Sequence, residues 1–139
     1  MLIRYQIIED ENLLIQKFSG KWDIDCYEAY IDMSLEELNL EPVKKIMTDL
    51  REIDISFLVK DIKRLIQLRQ KIAIKDFVNV YIVDDPASTV MAHLYQDALR
   101  KEGYNYHYCS TVFQAVRLLG LVYTDFQTEE ILRNLRHEF

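Results

Sequence analysis

Residues 77 to 99, FVNVYIVDDPASTVMAHLYQDAL, constrain the fold more than any other stretch. An apolar run rich in β-branched residues, 77 to 83, reads as a central strand. Asp85-Pro86 follows at once, an acidic N-cap with proline in the first helical position. The helix behind it is predicted to bury Val90, Met91, Leu94, Tyr95 and Ala98, and Gly103 stops it. A strand that hands over directly to an amphipathic helix needs a crossover, which is right-handed and returns to a parallel neighbour.

The rest of the chain repeats that alternation. Residues 2 to 8 and 13 to 19 read as strands around the turn EDEN, forming a hairpin or standing apart in one sheet. Asp25 and Glu28 have capping-box spacing before a helix to about Asn39, with Tyr27, Tyr30, Ile31, Ser34, Leu35 and Leu38 on one face. Pro42 ends that pattern, and KKIMTDL, 44 to 50, is a third strand. Ser56 stands as the cap of a helix over 57 to 72, with Leu58, Ile62, Leu65, Ile66 and Ile72 inside. YNYHYC, 104 to 109, is a fifth strand. Thr111 and Gln114 cap a short helix that buries Val112, Ala115, Val116 and Leu119 and ends at Gly120. The tail, 124 to 139, reads as helix with Ile131, Leu132 and Leu135 inside. The expectation is one α/β domain, with a five-stranded, mostly parallel sheet, helices on both faces, and a C-terminal helix. Residues 1 to 121 form the domain, and 122 to 139 a helical tail packed on it or on a dimer partner.

A chain of 139 residues buries roughly 70% of the surface it exposes when unfolded. Half its residues are hydrophobic, so it needs no disulfide or metal to hold a core. A net charge of −6 argues against nucleic acid, which wants a concentrated basic face. One local run is basic: Lys60, Lys63, Arg64, Arg69, Lys71 and Lys75. It reads as a solvated helix face, or as a docking patch for an acidic partner or a membrane headgroup. Cys26 and Cys109 form no CxxC pair and have no histidine at metal-ligand spacing, so both read as small hydrophobes in a reducing compartment. The N-terminal run is too short for a signal peptide, and no stretch approaches the roughly 18 apolar residues of a membrane span. The expected location is cytoplasmic, with no integral membrane segment.

No catalytic set, metal site or cofactor motif emerges. Gly20, Gly103 and Gly120 are isolated, which rules out GxGxxG and Walker loops. His93, His107 and His137 lie far apart in sequence. His107 and Cys109 are near neighbours, but no third group orients them. Asp49, Asp84 and Asp85 end the third and fourth strands, where ligands gather in open parallel sheets, and three carboxylates there suit Mg²⁺. The set looks like that of phosphoacceptor receiver domains. It lacks their acidic pair after the first strand and their lysine after the fifth, and Asp85 is already explained as a helix cap. Asp49 and Asp84 remain candidates for an interaction surface. So does Trp22, the single tryptophan, which serves either as a lid on the core or as an aromatic anchor for a partner. Tyr104, Tyr106 and Tyr108 alternate and share one face, as a packed ladder under a helix or, on an edge strand, as the wall of a pocket or dimer interface.

Four segments, in this order, resemble the STAS/SEC14-like family, also called SpoIIAA-like. GKWDIDCYEAY is similar to the start of its first helix, and IMTDLREIDIS to its next strand and loop. YIVDDPASTVMAHLYQDAL is similar to a strand, turn and helix, and STVFQAVRLLG to the closing helix, with Leu118 where the family often has tryptophan. The likeness spans about residues 1 to 121. It implies a mixed sheet with its first strand antiparallel, and a non-enzymatic regulatory domain that binds partner proteins, here as a possible homodimer. It also implies that Ser56 stands where some relatives carry a phosphorylated serine. The usual Asp-Ser-Ser/Thr-Gly run is missing, and Phe57 replaces the second hydroxyl residue. The SEC14 side of the resemblance implies an alternative, a pocket between sheet and helices for a small apolar ligand or lipid.

Overall fold

The computed structural model describes residues 1–72 and 76–139. In chain order the elements are β1 (Leu2–Ile8), β2 (Leu13–Lys21), α1 (Ile24–Glu37), β3 (Lys45–Asp54), α2 (Ile62–Lys71), β4 (Val78–Ile82), α3 (Pro86–Lys101), β5 (Asn105–Cys109), α4 (Val112–Leu119), α5 (Asp125–Arg133) and β6 (His137–Glu138). They build one mixed sheet of six strands, ordered β5-β4-β3-β2-β1-β6. β1 and β2 form an antiparallel hairpin, and β2 to β5 run parallel.

From β2 to β5 the strands follow one another across the sheet in chain order. Right-handed crossovers that all step the same way place their helices on one face. Accordingly Tyr30 and Ile31 of α1, Leu65 of α2, and Ala92, Tyr95 and Leu99 of α3 share a single core. The other face is covered by α4 and α5, through Ala115, Val116, Leu119 and Leu132 packed on Ile15, Met47, Val80 and Ile82. Within β2 to β5 the order never reverses, so no topological switch point falls between these neighbouring strands.

β3 runs four residues beyond the expected strand. Lys17 pairs with Asp49, but Ser19 pairs with Glu52, so β3 carries one extra residue as a bulge. The bulge breaks the period-two pattern that would have revealed the strand's second half. The helix after β3 is also shorter than expected. A 3-10 turn, Leu58–Asp61, precedes α2, and Ser56 caps neither element. Its backbone N–H donates to Asp54 Oδ1 at 3.0 Å. At α1 the cap is Asp23, which accepts from the N–H groups of Asp25 and Cys26, not the expected Asp25.

Asp85 caps α3 as expected, accepting from Ser88 N at 2.9 Å. The buried stripe of α3 is rotated from the expected one: Ser88, Ala92, Tyr95, Gln96 and Leu99 face inward, while Val90 and Leu94 are exposed. Small Ala92 faces the sheet, whose floor here is already filled by the rings of Tyr81 and Tyr106. At α4 all four expected residues are buried, and Gly120 closes the helix at φ +59°.

The tail differs most. Only α5 is helical, capped by Thr124 and Gln127 in a reciprocal capping box. It packs on α4 and β2 of its own chain. The last residues then add a sixth strand. Phe139 N donates to Ile3 O at 2.8 Å, Ile3 N returns a bond to Phe139 O at 3.1 Å, and His137 stacks on Tyr5. The tail thus crosses from one face of the sheet to the other, and Phe139 ends against Tyr30. The opposite edge is guarded differently. Arg100 donates from Nε to Tyr106 O at 3.0 Å and from Nη2 to His107 Nδ1 at 2.9 Å, laying a charged side chain along β5. Among the described residues no helix is long and apolar enough to cross a membrane.

Candidate functional site

Each of three strands carries one polar residue amid apolar neighbours, on the face beneath α1 to α3. They are Gln16 on β2, Thr48 on β3 and Asn79 on β4, all buried. Gln16 and Thr48 are direct cross-strand partners, and Gln16 Nε2 donates to Thr48 Oγ1 at 2.8 Å. Tyr30 OH donates to Gln16 Oε1 at 2.8 Å, tying α1 to the row. Gln16, Asn79 and Tyr30 border a cavity of about 50 Å³, which reaches the half-open Leu35 and is further lined by Arg69, Phe77 and Tyr106. The Arg69 side chain is 3% exposed, with its guanidinium 4.2 Å from the Phe77 ring centre and 4.1 Å from that of Tyr104. Arg69 Nη1 donates to Ile72 O at 3.2 Å.

A second cavity of about 30 Å³ adjoins the first, with apolar walls that include Phe18, Trp22, Leu50, Leu65 and Met91. Tyr27 and Tyr95 line both. Burial pushes the phenols of Tyr27, Tyr30, Tyr81, Tyr95 and Tyr106 up, so they stay neutral and keep their protons as donors. No carboxylate or imidazole lines either cavity among the described residues. The arrangement offers hydrogen bonds, aromatic faces and a guanidinium. The serine hydroxyl lining the larger cavity, Ser34, donates to Tyr30 O at 2.7 Å.

The residues singled out in the sequence fall elsewhere. Trp22, Ser56 and Asp84 follow β2, β3 and β4, at the carboxyl ends of the parallel strands. Trp22 is half-buried on the core and donates from Nε1 to Asp61 Oδ2 at 2.9 Å. Ser56, through its hydroxyl and its backbone N–H, holds the Asp54 carboxyl below its usual range. Asp84 is exposed. Asp49 does not join them. It lies inside β3 on the α4–α5 face, 1% exposed, and is gripped by Arg51, which also binds Glu129 of α5. Among the described residues no three acidic, histidine or cysteine side chains group as a metal site.

The cysteine and histidine pair is not assembled either. Cys109 Sγ lies 3.4 Å from Thr111 O, and burial pushes its thiol up, against thiolate chemistry. His107 accepts from Arg100 and faces Asn105 through its other nitrogen, and burial lowers its pKa. Half of the basic run turns to α1 and to the core, while Lys60 and Lys63 are exposed. Arg64 pairs with Asp25 and Glu28, Lys71 with Glu28 and Asp32, and Arg69 is buried, while Lys75 lies outside the described residues. The tyrosine ladder does stand on an edge strand, but it faces α3 and the cavity: Tyr106 packs on Phe77, Tyr81 and Tyr95. Sequence reasoning passed over Gln16, Thr48 and Asn79, and it read Arg69 as part of a solvated or docking face, whereas Arg69 is buried. The signal for the first three was a polar residue between two apolar second neighbours: Gln16 between Leu14 and Phe18, Thr48 between Ile46 and Leu50, Asn79 between Phe77 and Tyr81.

Compared with known proteins, the chain matches no family model and no curated protein.

Proposed function

We propose that this chain is a non-enzymatic binding domain that takes up a small, mainly apolar molecule between its sheet and helices α1 to α3. The observation that carries this reading is the pair of adjoining cavities walled by Tyr27 and Tyr95, with a polar row on the floor of the larger one. Ligand sites are concave and mostly apolar, with a few placed polar groups. The absence of any lining carboxylate or imidazole among the described residues favours binding over turnover. A panel of short alcohols, substituted benzenes and fatty acids, titrated while amide shifts are recorded, tests it. Shifts centred on Gln16, Asn79 and Tyr106 support the site. A panel that moves none of them refutes it.

A second reading is a regulatory protein-interaction domain of the STAS kind, acting as a homodimer. It is favoured by exposed apolar residues concentrated in one segment: Phe113, Leu118, Val122 at 82% and Phe126 at 86% exposure. In this reading Ser56 is the modifiable residue, and a phosphate there would meet the negative charge of Asp54. Light scattering of the wild type and of Phe126→Asp decides it. A concentrated wild type that stays monomeric rules out the dimer.

A further inference from the structure

Resting on the cavity reading, we propose that the ligand is compact and carries a hydroxyl or amide N–H, which it donates to the side-chain oxygen of Asn79. Asn79 is 5% exposed and lines the larger cavity. The Asn79 side chain also helps to hold down the Tyr106 pKa, which burial raises. Its Oδ1 is fully buried and meets no donor among the described residues. A buried acceptor left unpaired is costly, and a ligand that supplies the donor recovers that cost. The neighbouring members of the polar row need no such help. Gln16 uses both ends of its amide, and the Thr48 hydroxyl accepts from it. Asn79 is therefore the point in the row where a guest gains by bringing a proton.

Size narrows the class further. The voids measure about 50 and 30 Å³. A dry cavity of about 150 Å³ takes one benzene ring. Together the two voids are smaller than that, and a long acyl chain needs far more. A short alcohol matches the larger void in size and reaches the fully buried Asn79 Oδ1 once the amide turns toward it. A single ring fits once a shared wall turns aside, and Tyr27, half-buried between the two voids, is the side chain placed to do so. The apolar body of the guest then points toward Phe18, Leu65 and Met91.

The test uses the full chain with p-cresol, toluene and palmitate, each titrated against amide shifts. The expected result is p-cresol binding at least about tenfold more tightly than toluene, the loss of one buried hydrogen bond. In Asn79→Leu that preference disappears. If this variant does not fold, the p-cresol and toluene comparison on the wild type decides alone. Equal affinity for the two rings overturns donor recognition and leaves the cavity reading standing. Palmitate binding without p-cresol binding has the same consequence. No binding of any of the three overturns both.

Discussion

Asp49 and Arg51 lie two residues apart on one strand and still grip each other end to end, with Arg51 Nε 2.9 Å from Asp49 Oδ1 and Nη2 2.8 Å from Oδ2. The pair sits at the bulge in β3, and Asp49 braces that bulge by accepting from Arg51 N at 3.1 Å. Arg51 then reaches Glu129 at 2.9 Å, which joins α5 to the sheet. The two carboxylates, Asp49 first, hold the guanidinium firmly protonated against the opposing effect of its partial burial.

This arrangement is lopsided, since Asp49 is sealed in while Arg51 is partly open to water. Arg51→Met strands a buried carboxylate and is expected to cost about 3 to 5 kcal/mol. Glu129→Gln, at a partly exposed site, is expected to cost under about 1 kcal/mol. Urea melts of the two variants check the order. Equal losses would mean that Asp49 is less isolated from water than its burial implies.

Asp85 ties the start of α3 to a definite pH window. The Ser88 side chain and backbone N–H hold its carboxyl below the usual range. A group depressed on folding stabilises above its unfolded pKa, near 4, and that contribution is lost as pH falls through the folded value. Asp85→Ala is therefore expected to lose about 1 kcal/mol at pH 7. The gap should close below about pH 4. Melts at pH 7, 5 and 3 measure it, and a gap that does not change with pH contradicts the cap's charge dependence.

The polar row should behave as a unit. Thr48→Val keeps the shape but leaves the Gln16 amide N–H without its acceptor, at an expected cost of about 1 to 3 kcal/mol. In a Tyr30→Phe background, where no phenol loses its acceptor, adding Gln16→Leu removes the stranded donor and should restore part of the loss. A double variant whose cost is the plain sum of its parts would show that the two side chains are not coupled.

The last three residues guard the edge of β1. Deleting 137 to 139 removes both backbone bonds to Ile3, the Tyr5–His137 stack and the Phe139–Tyr30 contact. Hydrogen exchange at Ile3 should accelerate by an order of magnitude or more, and the shortened chain should associate through its bared edge. Unchanged exchange at Ile3 would mean that the tail strand is not what protects β1.

Much of the fold was readable locally. The Asp85-Pro86 start, the buried set of α4 and the apolar run of β4 are written in consecutive residues, because caps and periodicity act over one or two turns. The second half of β3 was not readable, since a single inserted residue shifts every later side chain to the other face. β6 was hidden for another reason. Two residues have no period, and they become a strand only where β1 offers them partners.

The candidate site divides in the same way. Gln16 in LLIQKFS, Thr48 in KKIMTDL and Asn79 in FVNVYIV were visible as polar letters between apolar second neighbours, but strand alternation says only that each shares a face with those neighbours. That Gln16, Thr48 and Asn79 lie under the same helices depends on the register of β2 on β3 and of β3 on β4. The sequence by itself determined an α/β chain of alternating strands and helices, because propensity, capping and hydrophobic period are local. Tertiary structure alone decided that Asp49 meets Arg51 instead of a ligand, and that Asn79 keeps a buried oxygen without a donor among the described residues. Both depend on which side chains neighbouring strands and overlying helices bring within reach, and no local pattern encodes that distance.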